Sequence, residues 1–146
     1  MPTYPTKKQI LASEPHYKVG LTELVMGWKS TTYSKLKNTK IGKQAAIHEL
    51  VKRIAHLYSA EVKILEGDRD CYVPAFKTIY LSEKVSIITA LHELAHALDY
   101  QQKIERQENN IELTACRWSV HLFKACFPRS YARLTWKGHQ LVRSPR

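Results

Sequence analysis

The run LHELAHALD, Leu91 to Asp99, contains His92-Glu93-Leu94-Ala95-His96. Residues four apart share one face of a helix, so the two imidazoles of this HExxH motif can bind a single Zn²⁺. Glu93 follows the first histidine directly and projects beside such a metal. There it would reach an activated water and serve as general base for hydrolysis. Val85, Ile87, Ile88, Leu91, Leu94, Ala95 and Leu98 make the segment apolar on most faces, the mark of a buried helix. Polar groups in such a helix are costly unless partnered, and a metal ion would partner these. The chain also carries an internal control. His48-Glu49-Leu50-Val51-Lys52 is half the motif, with lysine in place of the second ligand, and reads as the solvated face of an ordinary helix.

A tetrahedral catalytic zinc needs a third protein ligand and one open position. The metzincin continuation is absent, because Asp99 and Gln102 stand where it requires glycine and histidine. A carboxylate from a second helix is the other common solution, which would make the set gluzincin-like. Glu112 is well placed for it, with Glu105 and Glu108 as weaker candidates in the polar connection. His121 is a rival on the same helix as Glu112. The two lie nine residues apart, about two and a half turns, so they face opposite ways and only one can serve. Asp99, three residues after His96, either supports a ligand imidazole by hydrogen bonding or is a helix-surface aspartate.

The elements that must position these groups follow from periodicity. Thr6–Ala12 and Leu21–Trp28 have the length of short helices, within a stretch punctuated by Pro2, Pro5, Pro15, Gly20 and Gly27. Its aromatics Tyr4, Tyr17, Trp28 and Tyr33 could stack on nucleic-acid bases, but anchoring onto the core is the commoner use. From Ile41 to Ser59, apolar residues recur at helical spacing (Ile47, Leu50, Val51, Ile54, Leu57), predicting an amphipathic helix packed on a sheet, with His48 and His56 at its surface or boundary. Ala60–Leu65 alternates like a strand, and Glu66-Gly67-Asp68 supplies a turn. Cys71–Val73 and Lys77–Leu81 are two further strands. Ser82 is the expected N-cap of the motif helix, with Glu83 in its first turn and an end near Gln102. If the strand through Thr78, Ile79 and Tyr80 is a sheet edge, an extended peptide can pair with it over the metal. A last helix runs from Asn110 to Pro128, with Ala115 small enough for close approach to the motif helix.

These elements predict one α+β domain: a small twisted sheet of about three strands, an HExxH helix and a second ligand-bearing helix. Residues 1–40 are a basic arm or short helices, 41–128 the core, and 129–146 a basic tail that wraps or frays. The whole chain has 146 residues and a net charge of +10. The charge is uneven. Residues 1–60 hold 10 Lys/Arg against 3 acids (+7), residues 61–112 hold 6 against 10 (−4), and residues 113–146 hold 7 and no acid (+7). Basic ends of this size suit a nucleic acid or an acidic protein, or simply a soluble protein of high pI. Three cysteines, Cys71, Cys116 and Cys126, without a CxxC, argue against a disulfide framework or a thiolate zinc site and for free, mostly buried thiols. Nothing approaches a membrane span or a signal-peptide core, which predicts a cytoplasmic protein without membrane contact. No pattern specifies an oligomer.

Thr78-Ile79-Tyr80-Leu81, LHELAHALD and Glu112-x-x-Ala115-x-x-Trp118 together resemble the small ImmA/IrrE-type zincins, whose pattern is HExxH followed by a helix bearing ExxA and an aromatic. The resemblance covers roughly residues 72–128. It implies a zincin-like fold, Zn²⁺ held by His92, His96 and Glu112, and Glu93 as catalytic acid/base. It also favours Glu112 over His121, because Ala115 and Trp118 accompany it. Some members of that family cleave repressor-type regulators, so the implied substrate is a protein or peptide. SprT-like proteases, which act on DNA-bound proteins and use a third histidine, are the alternative that His121 and the basic ends would suit. A non-catalytic zincin-fold module that binds nucleic acid or protein is another. For the oxyanion, Tyr72, Tyr80 and His121 are the sequence candidates.

Overall fold

The computed structural model describes residues 4–144; of the expected short helices and basic tail, only residues 1–3 and 145–146 lie outside it. It is a mixed α+β domain with small sheets. Its centre is α6 (Ile111–Cys126), capped by the Asn110 side chain, which accepts from Leu113 N. Leu113 to Val120 are all buried, along with Leu122, Phe123 and Cys126. A helix buried nearly all round must be covered on every side.

One cover is α5 (Ile87–Tyr100), the motif helix, which buries Ala90, Leu91, Leu94, Ala95, Ala97 and Leu98. Ala115 is buried in the same apolar cluster, consistent with its expected role as a spacer. Behind α5 lies α4 (Lys40–Leu57), contributing Ile47, Leu50, Val51 and Ile54 to that cluster. A second cover is the N-terminal segment, read from sequence as a basic arm or short helices, of which the structure has the helices. It is docked: buried Arg117 donates to Gln9 O at 2.8 and 3.0 Å, and Tyr17 Oη donates to Trp118 O at 2.7 Å. Within it, α1 (Lys7–Leu11) carries a Thr6/Gln9 capping box and buries Ile10. The helix α2 (Leu21–Trp28) runs through a π-helical turn, Lys29–Tyr33, into the short α3 (Ser34–Leu36). Trp28 is fully buried, with its indole N–H on Ala46 O, and Tyr33 stacks on it. These two rings are core anchors, not a base-stacking face.

The first sheet has three strands, β1 (Lys63–Glu66), β2 (Cys71–Val73) and β3 (Thr78–Leu81), in the order β1-β3-β2. β1 pairs parallel and β2 antiparallel to β3. This corrects the expected substrate strand. Thr78 faces Lys63 and Val73, Ile79 faces Ile64 and Tyr72, and Tyr80 faces Leu65 and Cys71. β3 is therefore the central strand, and its ladder groups are taken on both sides. The open edges belong to β1 and β2.

The C-terminal stretch also departs from the reading as a wrapping or fraying tail. After α7 (Pro128–Ala132), β4 (Leu134–Lys137) and β5 (Gln140–Arg143) form an antiparallel hairpin. Its two-residue turn is Gly138-His139, and Gly138 has φ +64° while His139 does not have positive φ, the pattern of a type II′ turn. Trp136 and Leu141 pack against Ile10, Leu113, Cys116 and Val120. Among the described residues, no helix is long and apolar enough to cross a membrane.

The motif helix starts four residues later than the sequence suggests. The N-cap is Ser86, whose Oγ accepts from Thr89 N at 3.2 Å. Ser82 N instead donates to Asp70 Oδ1 at 2.6 Å, holding the chain in a turn as it leaves β3. Ser86→Ala should therefore cost about 1 kcal/mol in urea unfolding, whereas Ser82→Ala should stay within about 0.5 kcal/mol.

Candidate metal centre

Because α5 lies against α6, the two motif histidines meet the first turn of the second helix. His96 Nε2 is 3.0 Å from Glu112 Oε1, and His92 Nε2 is 3.4 Å from Glu112 Oε2. The two imidazoles stand edge to face with centroids 4.8 Å apart. Donors about 2.0–2.1 Å from a tetrahedral zinc lie roughly 3.3 Å from one another. Each imidazole has that spacing to the carboxylate; among the described residues, the group whose ligand atoms all lie within 4.8 Å of one another is His92, Glu112 and Cys116.

The electrostatics follow from burial and proximity. Hydrogen bonds from His92 and His96 hold the Glu112 carboxyl well below the usual carboxylate range, against the opposing effect of burial. Burial lowers the His96 pKa, but the hydrogen bond and charge of Glu112, helped by Glu93 and Asp99, outweigh it and leave the imidazole above its ordinary value. The pocket thus favours positive charge beside the Glu112 carboxylate. A divalent cation would supply that charge. His96 Nδ1 is buried without a partner. Two imidazoles and one carboxylate are a donor set suited to zinc, and the residues present fit the ion.

Glu93 lies on the same cavity wall. Burial raises its carboxyl pKa, aided by Glu112 and Asp70 and opposed by His92 and His96. The cavity measures about 560 Å³. One side is α5 and α6, with His92, Glu93, His96, Glu112, Ser119 and Thr89. Asp70 lines it just ahead of the β2 edge, and the far side is Tyr4 with the hairpin residues His139, Gln140, Leu141 and Val142. Tyr4 stacks on His139 with centroids 4.1 Å apart.

The other sequence candidates lie elsewhere. Asp99 is buried, and both its oxygens accept from Arg106 Nε, at 3.0 and 3.1 Å. It is neither a surface aspartate nor a hydrogen-bond partner of an imidazole. His121 directs Nε2 to Ile10 O at 3.0 Å, on the side of α6 facing α1. Glu108 pairs with Arg117, and Glu105 is exposed. Tyr72 and Tyr80 do not line the cavity. His56 is exposed and His48 half-buried, in line with a surface or boundary position.

Sequence reasoning missed two features. Cys116 is buried beside the site, its Sγ 3.9 Å from His92 Nδ1, and ligand atoms of His92, Glu112 and Cys116 lie within 4.8 Å of one another. Burial, with Glu112 and Glu93 nearby, pushes its thiol up to about 12. Its place four residues after Glu112 was the available signal. The second is the hairpin wall with His139, signalled by a two-residue Gly-X turn between LTWK and QLVR. The other two thiols are also free, Cys126 buried and Cys71 half-buried.

Compared with protein-family models, curated proteins and solved structures, the chain gives no match.

Glu112→Ala should abolish stoichiometric zinc binding in equilibrium dialysis, and His121→Ala should leave it unchanged. At a free zinc concentration 100 times Kd, bound metal should raise the wild-type unfolding free energy by about 2.7 kcal/mol, and that gain should vanish in Glu112→Ala.

Proposed function

We propose that this chain is a zinc-dependent metallopeptidase of zincin type, similar to the ImmA/IrrE-type enzymes, that hydrolyses a peptide bond of a protein substrate. The observation that carries the reading is the placement of Glu112 within 3.0–3.4 Å of Nε2 of both motif histidines, with Glu93 on the wall of the same cavity. His92, His96 and Glu112 would hold the metal. When bound, it supplies Lewis acidity, polarising a scissile carbonyl and making water acidic enough to be a nucleophile near neutral pH.

The remaining chemistry belongs to the chain's own groups. Glu93 takes a proton from the attacking water and returns it to the leaving amine. Its raised pKa suits both halves of that cycle, because a general base works best with a pKa near the operating pH. Buried Leu91, Leu94 and Ala95 fix the rotation of α5, and with it the direction of the Glu93 carboxylate. An extended peptide would pair with the open edge of β2, which follows Asp70 of the cavity lining, and not with the occupied β3. Of the two protease readings, the one using Glu112 is favoured over the SprT-like one, because the His121 imidazole is engaged on the α1 side.

Glu93→Gln tests the reading. It should keep zinc at one per chain and lower peptide hydrolysis by about 10²–10⁴-fold, the usual contribution of a general base. Turnover close to wild type in that variant would overturn it.

A further inference from the structure

The helix α6 addresses the His92 ring from both of its nitrogens. Glu112 lies at Nε2, 3.4 Å away, and Cys116, one turn later on the same face, lies at Nδ1, 3.9 Å away. The His96 ring differs. Its Nε2 also meets Glu112, but its Nδ1 is buried with no partner, and Asp99, three residues further along its own helix, is held by Arg106. Cys116 is therefore the contact that distinguishes the two imidazoles.

We propose that Cys116 is a positioning residue of the metal centre: it orients the His92 ring through Nδ1 so that Nε2 faces the metal, without itself being a ligand. This rests on the reading that His92, His96 and Glu112 hold the ion. A ligating histidine ordinarily gives its second ring N–H to a carboxylate or carbonyl, which fixes tautomer and orientation. A thiol differs from those acceptors because it can either donate or accept. With the ring proton on Nε2, which faces the Glu112 carboxylate 3.4 Å away, Nδ1 is left as an acceptor for the thiol S–H. For Nε2 to become a metal donor, the ring proton must sit on Nδ1, where the same sulfur accepts it. Cys116 thus partners both tautomers of one ring with no backbone movement. Its position is set by packing, because Ile10, Leu113 and Val120 surround it.

The test uses the full chain as wild type, Cys116→Ala, Cys116→Val and Cys116→Asn. Valine keeps the volume and removes the hydrogen bond; asparagine reaches Nδ1 and can donate or accept. Zinc affinity, measured by competition with a chromophoric chelator, should fall about 10- to 100-fold in Cys116→Ala and Cys116→Val and recover in Cys116→Asn. Equal affinity in wild type and both apolar variants would overturn the proposal. The Co²⁺-loaded wild type should lack a thiolate-to-cobalt charge-transfer band in the near ultraviolet; a band that disappears in Cys116→Ala would make Cys116 a ligand and overturn it as well. A wild type that binds neither ion would defeat the metal reading separately. The Cys116 contact would then be decided on the metal-free chain. There the ring ¹⁵N resonances of His92 must move in Cys116→Ala, and unmoved resonances would overturn it.

Discussion

Two imidazoles and a carboxylate converge where α5 packs on α6, and each depends on the other two. A half-buried carboxylate with no cation near it would be driven toward its neutral acid, and a half-buried imidazole with no acceptor would lose its proton. Side by side, they keep their polar character inside a helix pair whose shared core is apolar. The arrangement also constrains the backbone. For one carboxylate to touch both Nε2 atoms, the first turn of α6 must sit opposite the middle of α5, so the register of the two helices and the geometry of the site are set together.

That register is secured well away from the charges. Ala90, Leu91, Leu94 and Ala95 from α5 and Ala115, Trp118 and Leu122 from α6 form one buried cluster, so sliding either helix would open voids in a close-packed interior. Arg106 adds a polar tie at the end of α5 by meeting the buried Asp99. Where the sequence left Asp99 either as a support for an imidazole or as a surface residue, the molecule uses it to hold the connection between the two helices. The group that contacts the back of His92 comes instead from α6, so both nitrogens of that ring are served by one helix.

The parts of the fold legible in the sequence are those encoded by local spacing. HExxH places its groups on one face wherever a helix forms, and a glutamate just after a capping asparagine falls in a first turn regardless of tertiary context. The nine-residue interval that separates Glu112 from His121 correctly set them on opposite sides of α6. Less legible features depended on distant partners. Ser82 and Ser86 are equally good caps by type, and only Asp70, twelve residues before Ser82, decides between them. Whether Thr78–Leu81 is central or an edge depends on pairing with β1 and β2, which the composition of that strand does not express. The hairpin was obscured by its charges: Lys137 and Arg143 made a tail of residues whose alternate members, Trp136 and Leu141, turn inward. Cys116 was hidden by counting cysteines against each other instead of against the carboxylate one turn away.

The two faces of the cavity differ in how far apart their parts lie along the chain. The face with the two imidazoles and the carboxylate comes from neighbouring helices joined by a short connection, whereas Tyr4 meets His139 across nearly the full sequence. Contacts between remote segments carry the larger loop-closure cost and form late in folding. In chain order His92, His96 and Glu112 precede the hairpin, so the wall opposite them is the last part of the cavity to be synthesised. The polar face is thus an open shelf in the chain without its hairpin, and becomes a cleft only when the β4–β5 turn sets His139 on Tyr4.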